Sequence, residues 1–318
     1  MTGADTLVGS SCDQPVAVID IGSSSIQITV AQVHADGIET LERAKFNAKL
    51  RMALDRHGSL TTPVMDRVIG KLTEYKLLAD RHNAPARATA TATLRAAANA
   101  AEFVTRVRNE VGIEVQIISG FREAALVYSG VRHGLKSLAG QQILCVDVGG
   151  GSTEFARGVG ERPDLLSSLP IGTLVVHRRW LGFEDIGSGR IRRASRGLDR
   201  ALRQKTQFIA SNCEGQLVCT GGSAQRIARI SRILEDKPDA EIHGYRLSIE
   251  GLNAVIDLML QARTSEGRRN VPGMDPERAD QLLGGALIYQ ALTRYLSISH
   301  WTVSMSAIRT GMILELDG

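Results

Sequence analysis

The chain alternates between two hydrophobic rhythms. The apolar runs VAVIDI (16–21), IQITVAQV (26–33), IEVQII (113–118), QILCVDV (142–148), TEFARGV (153–159), QLVCTG (216–221) and HWTVSM (300–305) predict strands. ARATATAT (86–93), small and β-branched, is read as another strand. Between them, apolar residues three and four apart predict helices over 62–82, 94–112, 122–135, 171–181, 188–212, 222–234, 248–263, 276–297 and 306–316. The polar turn between the first two runs predicts a hairpin. Alternating strands and helices predict α/β layers.

One turn occurs twice. Ile19-Asp20-Ile21-Gly22-Ser23-Ser24-Ser25-Ile26 aligns with Val146-Asp147-Val148-Gly149-Gly150-Gly151-Ser152-Thr153. Each copy reads apolar, Asp, apolar, Gly, two small residues, Ser. Each follows an apolar strand and enters another β-type run. The two Asp residues are 127 positions apart (147 − 20), which is domain length, so two domains of related fold are expected. Small polar residues at 136–141 mark a boundary. The expected division is a disordered tail over 1–14, one domain over 15–136, a second over 137–305, and a terminal helix over 306–318.

Bulk composition sets few limits. The 318 residues are 43% hydrophobic and 23% charged, a globular balance with room for two cores. The net charge of +4 suits an anionic ligand without requiring one. Cys12, Cys145, Cys213 and Cys219 form no CxxC pair; buried thiols in a reducing cytoplasm are expected. The N-terminus has no basic segment followed by an apolar one, and no apolar run is long enough to span a bilayer, so neither signal peptide nor membrane helix is expected. The seven His residues are scattered and none is assigned to catalysis.

The turns carry the candidate chemistry. Glycine lets the backbone approach a ligand closely, and successive N–H groups in such a turn bind an anion. Gly22, Gly149, Gly150 and Gly151 supply that backbone, and Ser23, Ser24, Ser25 and Ser152 add hydroxyls. Asp20 and Asp147 repel phosphate directly. They make sense as ligands of Mg²⁺ or Mn²⁺ that bridges to phosphate oxygens. The plain alternative is a tight hairpin in which glycine only satisfies the turn; it leaves the Asp at both strand ends without a reason. Gly221, Gly222 and Ser223 open a helix after a strand, a third anion site. Arg192, Arg196, Arg200 and Arg203 recur on one helical face. That face is either a solvated surface or a track for a long polyanion leading to the cleft. Aromatics are only 4%, and no nucleic-acid-binding motif is present, so nucleic acid is ranked low.

These motifs resemble the exopolyphosphatase/guanosine pentaphosphate phosphohydrolase family of the actin-like ATPase superfamily. The match runs in order through DIGSSS (20–25), ATATLRAAAN (90–99), ISGFREAAL (118–126), DVGGGSTE (147–154), LPIGT (169–173), TGGSAQRIARI (220–230) and VPGMDPERAD (271–280), and spans about residues 16–316. It implies an α/β fold of two related actin-like, ribonuclease H-like domains with an interdomain cleft, the terminal helix packing back on the first. Longer relatives carry further C-terminal helical domains; this chain resembles the short form. The resemblance assigns Glu123 as the base that activates water and Arg95 as a phosphate clamp. With the turns, it gives Asp20, Asp147 and Glu154 as the metal set, with water positioning as the other role open to Glu154.

The implied activity is metal-dependent release of terminal phosphate from inorganic polyphosphate, with short chains considered. Guanosine pentaphosphate is the alternative substrate, and a weakly active or non-catalytic sensor of polyphosphate or alarmone is a third reading. A small-molecule kinase of the superfamily would need an Asp base in a sugar-type pocket. No membrane partner is expected, and a homodimer stays open. Three positions depart from the family pattern. Ser24 replaces an Asn; Arg122 replaces an acid and, beside Glu123, is expected to favour its ionised form; Ala307-Ile308-Arg309-Thr310-Gly311 replaces Gly-Leu-Arg-Glu-Gly.

Overall fold

Two mixed sheets carry the molecule, and the same order of strands builds each. The computed structural model describes residues 14–54, 56–182, 186–205, 209 and 215–317. Val16–Ile21 (β1), Ile26–His34 (β2) and Gly37–Phe46 (β3) form an antiparallel meander. Ala86–Ala90 (β4) and Val115–Ile117 (β5) continue in parallel on the other side of β1. The order is β3-β2-β1-β4-β5. Ile143–Val148 (β6), Thr153–Gly158 (β7) and Leu165–Leu169 (β8) repeat the meander. Gln216–Thr220 (β9) pairs in parallel with β6, followed outward by His300–Val303 (β11) and, at the edge, Arg246–Ser248 (β10). The order is β8-β7-β6-β9-β11-β10. The expected α/β class, with two halves built on similar sheets, is thus the one observed.

The first strand of each half explains itself. β1 and β6 are central and covered on both faces, so they read as continuous apolar runs. Each is buried at five of six positions, and the half-exposed one is Asp20 or Asp147.

Helices cover the sheets: Thr62–Arg81 (α1), Ala92–Ala96 (α2), Ala100–Val111 (α3), Gly120–Gly134 (α4), Thr173–Val176 (α5, running into a π-type turn over His177–Leu181), Ser188–Lys205 (α6), Gly221–Leu234 (α7), Ile249–Gln261 (α8), Ser265–Arg269 (α9), Ala279–Leu296 (α10) and Ile308–Asp317 (α11). The helix expected over 94–112 is two helices. Asn99 exchanges two 2.9 Å hydrogen bonds with the backbone of Leu60, and the chain is extended at Ala97. A side chain tied to a distant backbone outcompetes the helix ladder here. The strand expected over 86–93 ends at Ala90, where the chain turns into α2. β3 escaped the pattern because its charged residues suit a solvated edge strand. The tail expected over 1–14 lies, save Gln14, outside the described residues, as does most of 206–214 of the helix expected over 188–212.

Three cores hold these layers. One packs α1 and α3 on the first sheet, and one packs α6, α7, α8 and α10 on the second. The third joins the halves. Val16, Val18 and Ala31 of the first sheet and Ile143, Cys145, Ala156 and Val218 of the second meet around α4 and α11. These two helices cross at contact distance because Gly130 faces Ala307 and Gly311 faces Leu126; a Cβ at either would strike backbone.

Gly311→Ala should therefore lower the free energy of unfolding by about 1–3 kcal/mol, the cost of overpacking. Gly70→Ala, inside exposed α1 with open space around it, should raise it by about 0.5–1 kcal/mol. Chemical denaturation of both variants checks the pair.

Candidate functional site

The two repeated turns have one geometry. Gly22 N–H donates to Ser25 O and Gly149 N–H to Ser152 O, both at 3.0 Å. The remaining carbonyls are tied back. Ser23 O and Ser24 O accept from Arg51 and Lys49; Gly149 O and Gly150 O accept from Thr173 and Leu174. Among the described residues, the N–H groups of Ser23, Ser24, Gly150 and Gly151 have no backbone acceptor. A row of amides free on the side away from the tethered carbonyls is an anion cradle.

The turns also meet each other. A Cβ at Gly150 would strike Ser24 Oγ, and one at Gly151 would crowd Ser23 and Ala92. The second turn therefore uses glycine for close approach of the halves as well as for exposed amides. Ser24, the departure from the family pattern, reaches across: its hydroxyl donates to Gln281 Oε1 of α10 at 2.8 Å. Thr173 Oγ1 donates to the same oxygen at 3.2 Å, and Thr93 Oγ1 to Ser23 Oγ at 2.7 Å.

A cleft of about 870 Å³ opens between the halves. The two turns, Gly221–Ser223, Asp20, Asp147 and Glu123 line it. Asp20 and Asp147 stand at matching positions, each paired across its hairpin and flanked on its other side by a Thr of the parallel strand, Thr89 or Thr220. Burial pushes the Asp20 carboxyl up to about 6, against the lowering pull of Arg309. Burial, then the charge of Asp20, pushes Asp147 up to about 7, against Arg309 and Arg278. The guanidiniums only partly offset the cost of crowding like charges out of water.

Glu123 sits in the first turn of α4, whose Ser119 cap accepts from Arg122 N at 3.1 Å. The helix dipole there favours a carboxylate, but burial dominates and raises Glu123 to about 7, opposed by Arg95. Arg95 Nη1 donates to Glu123 Oε2 at 2.8 Å and to Ile118 O at 2.9 Å, and its other nitrogen lies 4.0 Å from Glu154. Glu154, 2% exposed, accepts from Ser168 Oγ at 2.8 Å, and its carboxyl is raised by burial and by Glu123. Arg95 and Glu154 thus stand behind Glu123 and are not among the residues on the cleft wall.

One expectation is corrected. Arg122 does not sit beside the Glu123 carboxylate; it turns outward and pairs with Glu315 of α11. The Glu123 carboxyl is raised, and the guanidinium that opposes the rise belongs to Arg95.

The third loop differs from its simple reading. Gly221 has φ of +82°, and a Cβ there would strike Asp147; one at Gly222 would strike Arg278. Both glycines admit charged neighbours. Thr220 spends its hydroxyl on Ser304 O and Ser306 O, so the first turn of α7 has no side-chain cap and points its amides into the cleft.

Sequence reasoning gave no role to Arg278 and Arg309. Arg309 donates to Thr29 Oγ1 at 3.1 Å and stands near both aspartates. Arg278 lies in a segment that resembles the family and Arg309 in one that departs from it; tertiary packing aims both. The arginine row of α6 lies apart: Arg192, Arg196 and Arg200, though not Arg203, line a second cavity that shares no residue with the cleft.

Among the described residues, no three His, Cys, Asp or Glu side chains form a metal cage. The donor set fits Mg²⁺ nonetheless, because that ion is usually held by one or two carboxylates plus substrate phosphates. Asp20 and Asp147 are such a pair.

Two outcomes follow. On the reading of Glu123 as a general base, turnover should fall tenfold per pH unit below about 7, and Glu123→Gln should lower kcat by about 10²–10⁴-fold. Steady-state rates across pH check this. Asp20 and Asp147 hold protons more tightly folded than unfolded, so their stabilisation is full below the ordinary carboxylate range and fades as pH rises through about 6–7. The metal-free protein should melt higher near pH 5 than near pH 8. Mg²⁺ should raise the melting temperature at the higher pH, and Asp147→Asn should abolish that response.

The Ppx/GppA phosphatase family matches residues 29–317. Exopolyphosphatase 1 of Mycobacterium tuberculosis is 30% identical over 303 residues, covering 94% of this chain and 87% of that one. A crystal structure of an exopolyphosphatase from Cytophaga hutchinsonii superposes with a TM-score of 0.88 at 24% identity, covering 96% and 98% of the two chains. The Aquifex aeolicus PPX-GPPA enzyme superposes with 0.79 at 26% identity, covering 95% and 99%. With the matched turns, the cleft and this similarity over nearly its whole length, the chain belongs to the Ppx/GppA phosphatase family.

Proposed function

We propose that the cleft cleaves terminal phosphate from inorganic polyphosphate, and the charge of its walls is the observation that carries this. Arg43, Lys45, Arg226, Arg229, Arg278 and Arg309 line it, and no Phe, Tyr or Trp does among the described residues. A nucleoside would be expected to find an apolar or aromatic slot. A chain of phosphates matches a wall of cations and free amides.

In this reading the turn amides, the first turn of α7 and Arg278 and Arg309 hold the phosphates. Asp20 and Asp147 would hold Mg²⁺ or Mn²⁺, which neutralises charge on phosphate oxygens when bound. Glu123 takes a proton from water, and the resulting oxygen bonds to the terminal phosphorus as the bond to the bridging oxygen breaks. A carboxyl near pKa 7 is matched to that task at neutral pH. Arg95 acts as a positioning residue: its hydrogen bond fixes the Glu123 carboxylate, and Ser168 fixes Glu154 behind it. No helix among the described residues is long and apolar enough to cross a membrane, and Cys145 and Cys219 are buried free thiols. Both fit a cytoplasmic enzyme.

The competing substrate is guanosine pentaphosphate, for which Ile242 and Met305 offer apolar positions on the cleft wall. Phosphate release should be measured on tripolyphosphate, long-chain polyphosphate, guanosine pentaphosphate and ATP with Mg²⁺. Polyphosphate should lead in kcat/KM by about tenfold or more, a difference of about 1.4 kcal/mol in transition-state binding. A lead for guanosine pentaphosphate would reverse the assignment. Tight binding of polyphosphate without release from any substrate would mark a sensor.

A further inference from the structure

A second cavity, of about 740 Å³, lies on the face of α6. Arg179, Arg192, Arg193, Arg196 and Arg200 line it, with Trp180, Gly189, Gly197, Ala201 and Gln204, and no carboxylate does among the described residues. The opposite face of α6 is buried at Ala194, Leu198 and Leu202, which fixes the arginine face outward. Arg192, Arg196 and Arg200 are exposed and four apart, so their charges repeat about every 6 Å along the helix.

Several arginines elsewhere on this protein pair with acids. Arg106 pairs with Asp66 and Glu110, Arg108 with Glu114, Arg122 with Glu315 and Arg232 with Glu235. Asp199, the acid of α6 itself, is held by Arg294 of α10 at 3.2 Å and does not neutralise the row. Like charges four apart destabilise a helix. A row of them that faces no acid among the described residues suits an anion, and its linear spacing suits a chain anion.

We propose that this face is a second polyphosphate-binding site, which retains a long chain outside the cleft while the chain's end is cut. The proposal rests on the polyphosphate reading of the cleft. It deepens that reading by adding a contact that only long substrates make. Single-stranded nucleic acid is the other chain anion, and it would need exposed aromatic faces for its bases. Trp180, the one aromatic in the cavity among the described residues, is pressed on Gly197 and carries Arg179 over its ring at 5.0 Å. Position favours retention as well. α6 packs along α10, whose first turn places Gln281 on the Ser24 turn, and thirteen residues later, about 20 Å along the axis, Arg294 grips Asp199. A chain bound at both places gains by effective concentration.

The test compares the whole protein with Arg192→Ala/Arg196→Ala/Arg200→Ala and with the same triple changed to Lys. KM and kcat are read on tripolyphosphate and on long-chain polyphosphate. Affinity for the long chain is read in a Glu123→Gln background, with an RNA homopolymer of matched length as competitor. The alanine triple should raise KM for the long chain by about tenfold, leave kcat and both tripolyphosphate constants unchanged, and not lower the melting temperature. The lysine triple should recover most of the loss, and RNA should compete poorly. An unchanged long-chain KM and affinity would overturn the site, and RNA binding as tight as polyphosphate would overturn its assignment. If the wild type releases phosphate from neither chain, the cleft reading has failed. The α6 site then stands or falls on whether the alanine triple loses long-chain binding.

Discussion

Two like charges held close to each other and away from bulk water are the constraint on which the structure depends. Asp20 and Asp147 end the two central strands, and burial raises both carboxyls well above their ordinary range. Nothing in hairpin formation needs them, since β1–β2 and β6–β7 close through glycine and backbone bonds alone. Their neighbours adapt to them. Gly221 gives up its side chain to admit Asp147, Gly222 gives up its own to admit Arg278, and Arg309 arrives from the last helix. Such an arrangement costs stability and persists where a cation and an anion are to be brought together.

The halves are joined unequally, and that shapes how the cleft works. Behind it, the α4–α11 crossing and the apolar faces of both sheets form one continuous core. Across its mouth the links are polar: Ser24 to Gln281, and Lys45 to Asp275 at 3.4 Å. Net values of about 1 kcal/mol for a hydrogen bond and less for a partly exposed ion pair make these links easy to exchange with a ligand. Asp275 also lies 3.9 Å from Arg226 and 3.7 Å from Arg278, so these cations already hold one carboxylate.

Much of this was legible in the sequence because it is written in local pattern. The duplicated apolar-Asp-apolar-Gly turn implied two related halves, and the sheets repeat one order. Family motifs pointed to Glu123 and Arg95, and the two side chains meet at 2.8 Å. What stayed hidden depends on distant contacts. Asn99 splits a helix by binding Leu60; β3 hides its strand character behind edge charges; Arg278 and Arg309 look like surface arginines until α10 and α11 are packed. Arg122 shows the reverse error. It adjoins Glu123 in sequence, but neighbouring residues on a helix point about 100° apart, and its guanidinium finds Glu315 instead.

The central claim is that Asp20 and Asp147 jointly hold the divalent cation that meets the substrate. Anomalous scattering from Mn²⁺ in crystals of the Glu123→Gln protein with tripolyphosphate tests it most directly. The account predicts one manganese within direct or one-water reach of both carboxylates, with the terminal phosphorus beside residue 123. A manganese that contacts neither aspartate, or a phosphate chain that lies outside the two turns, would contradict it.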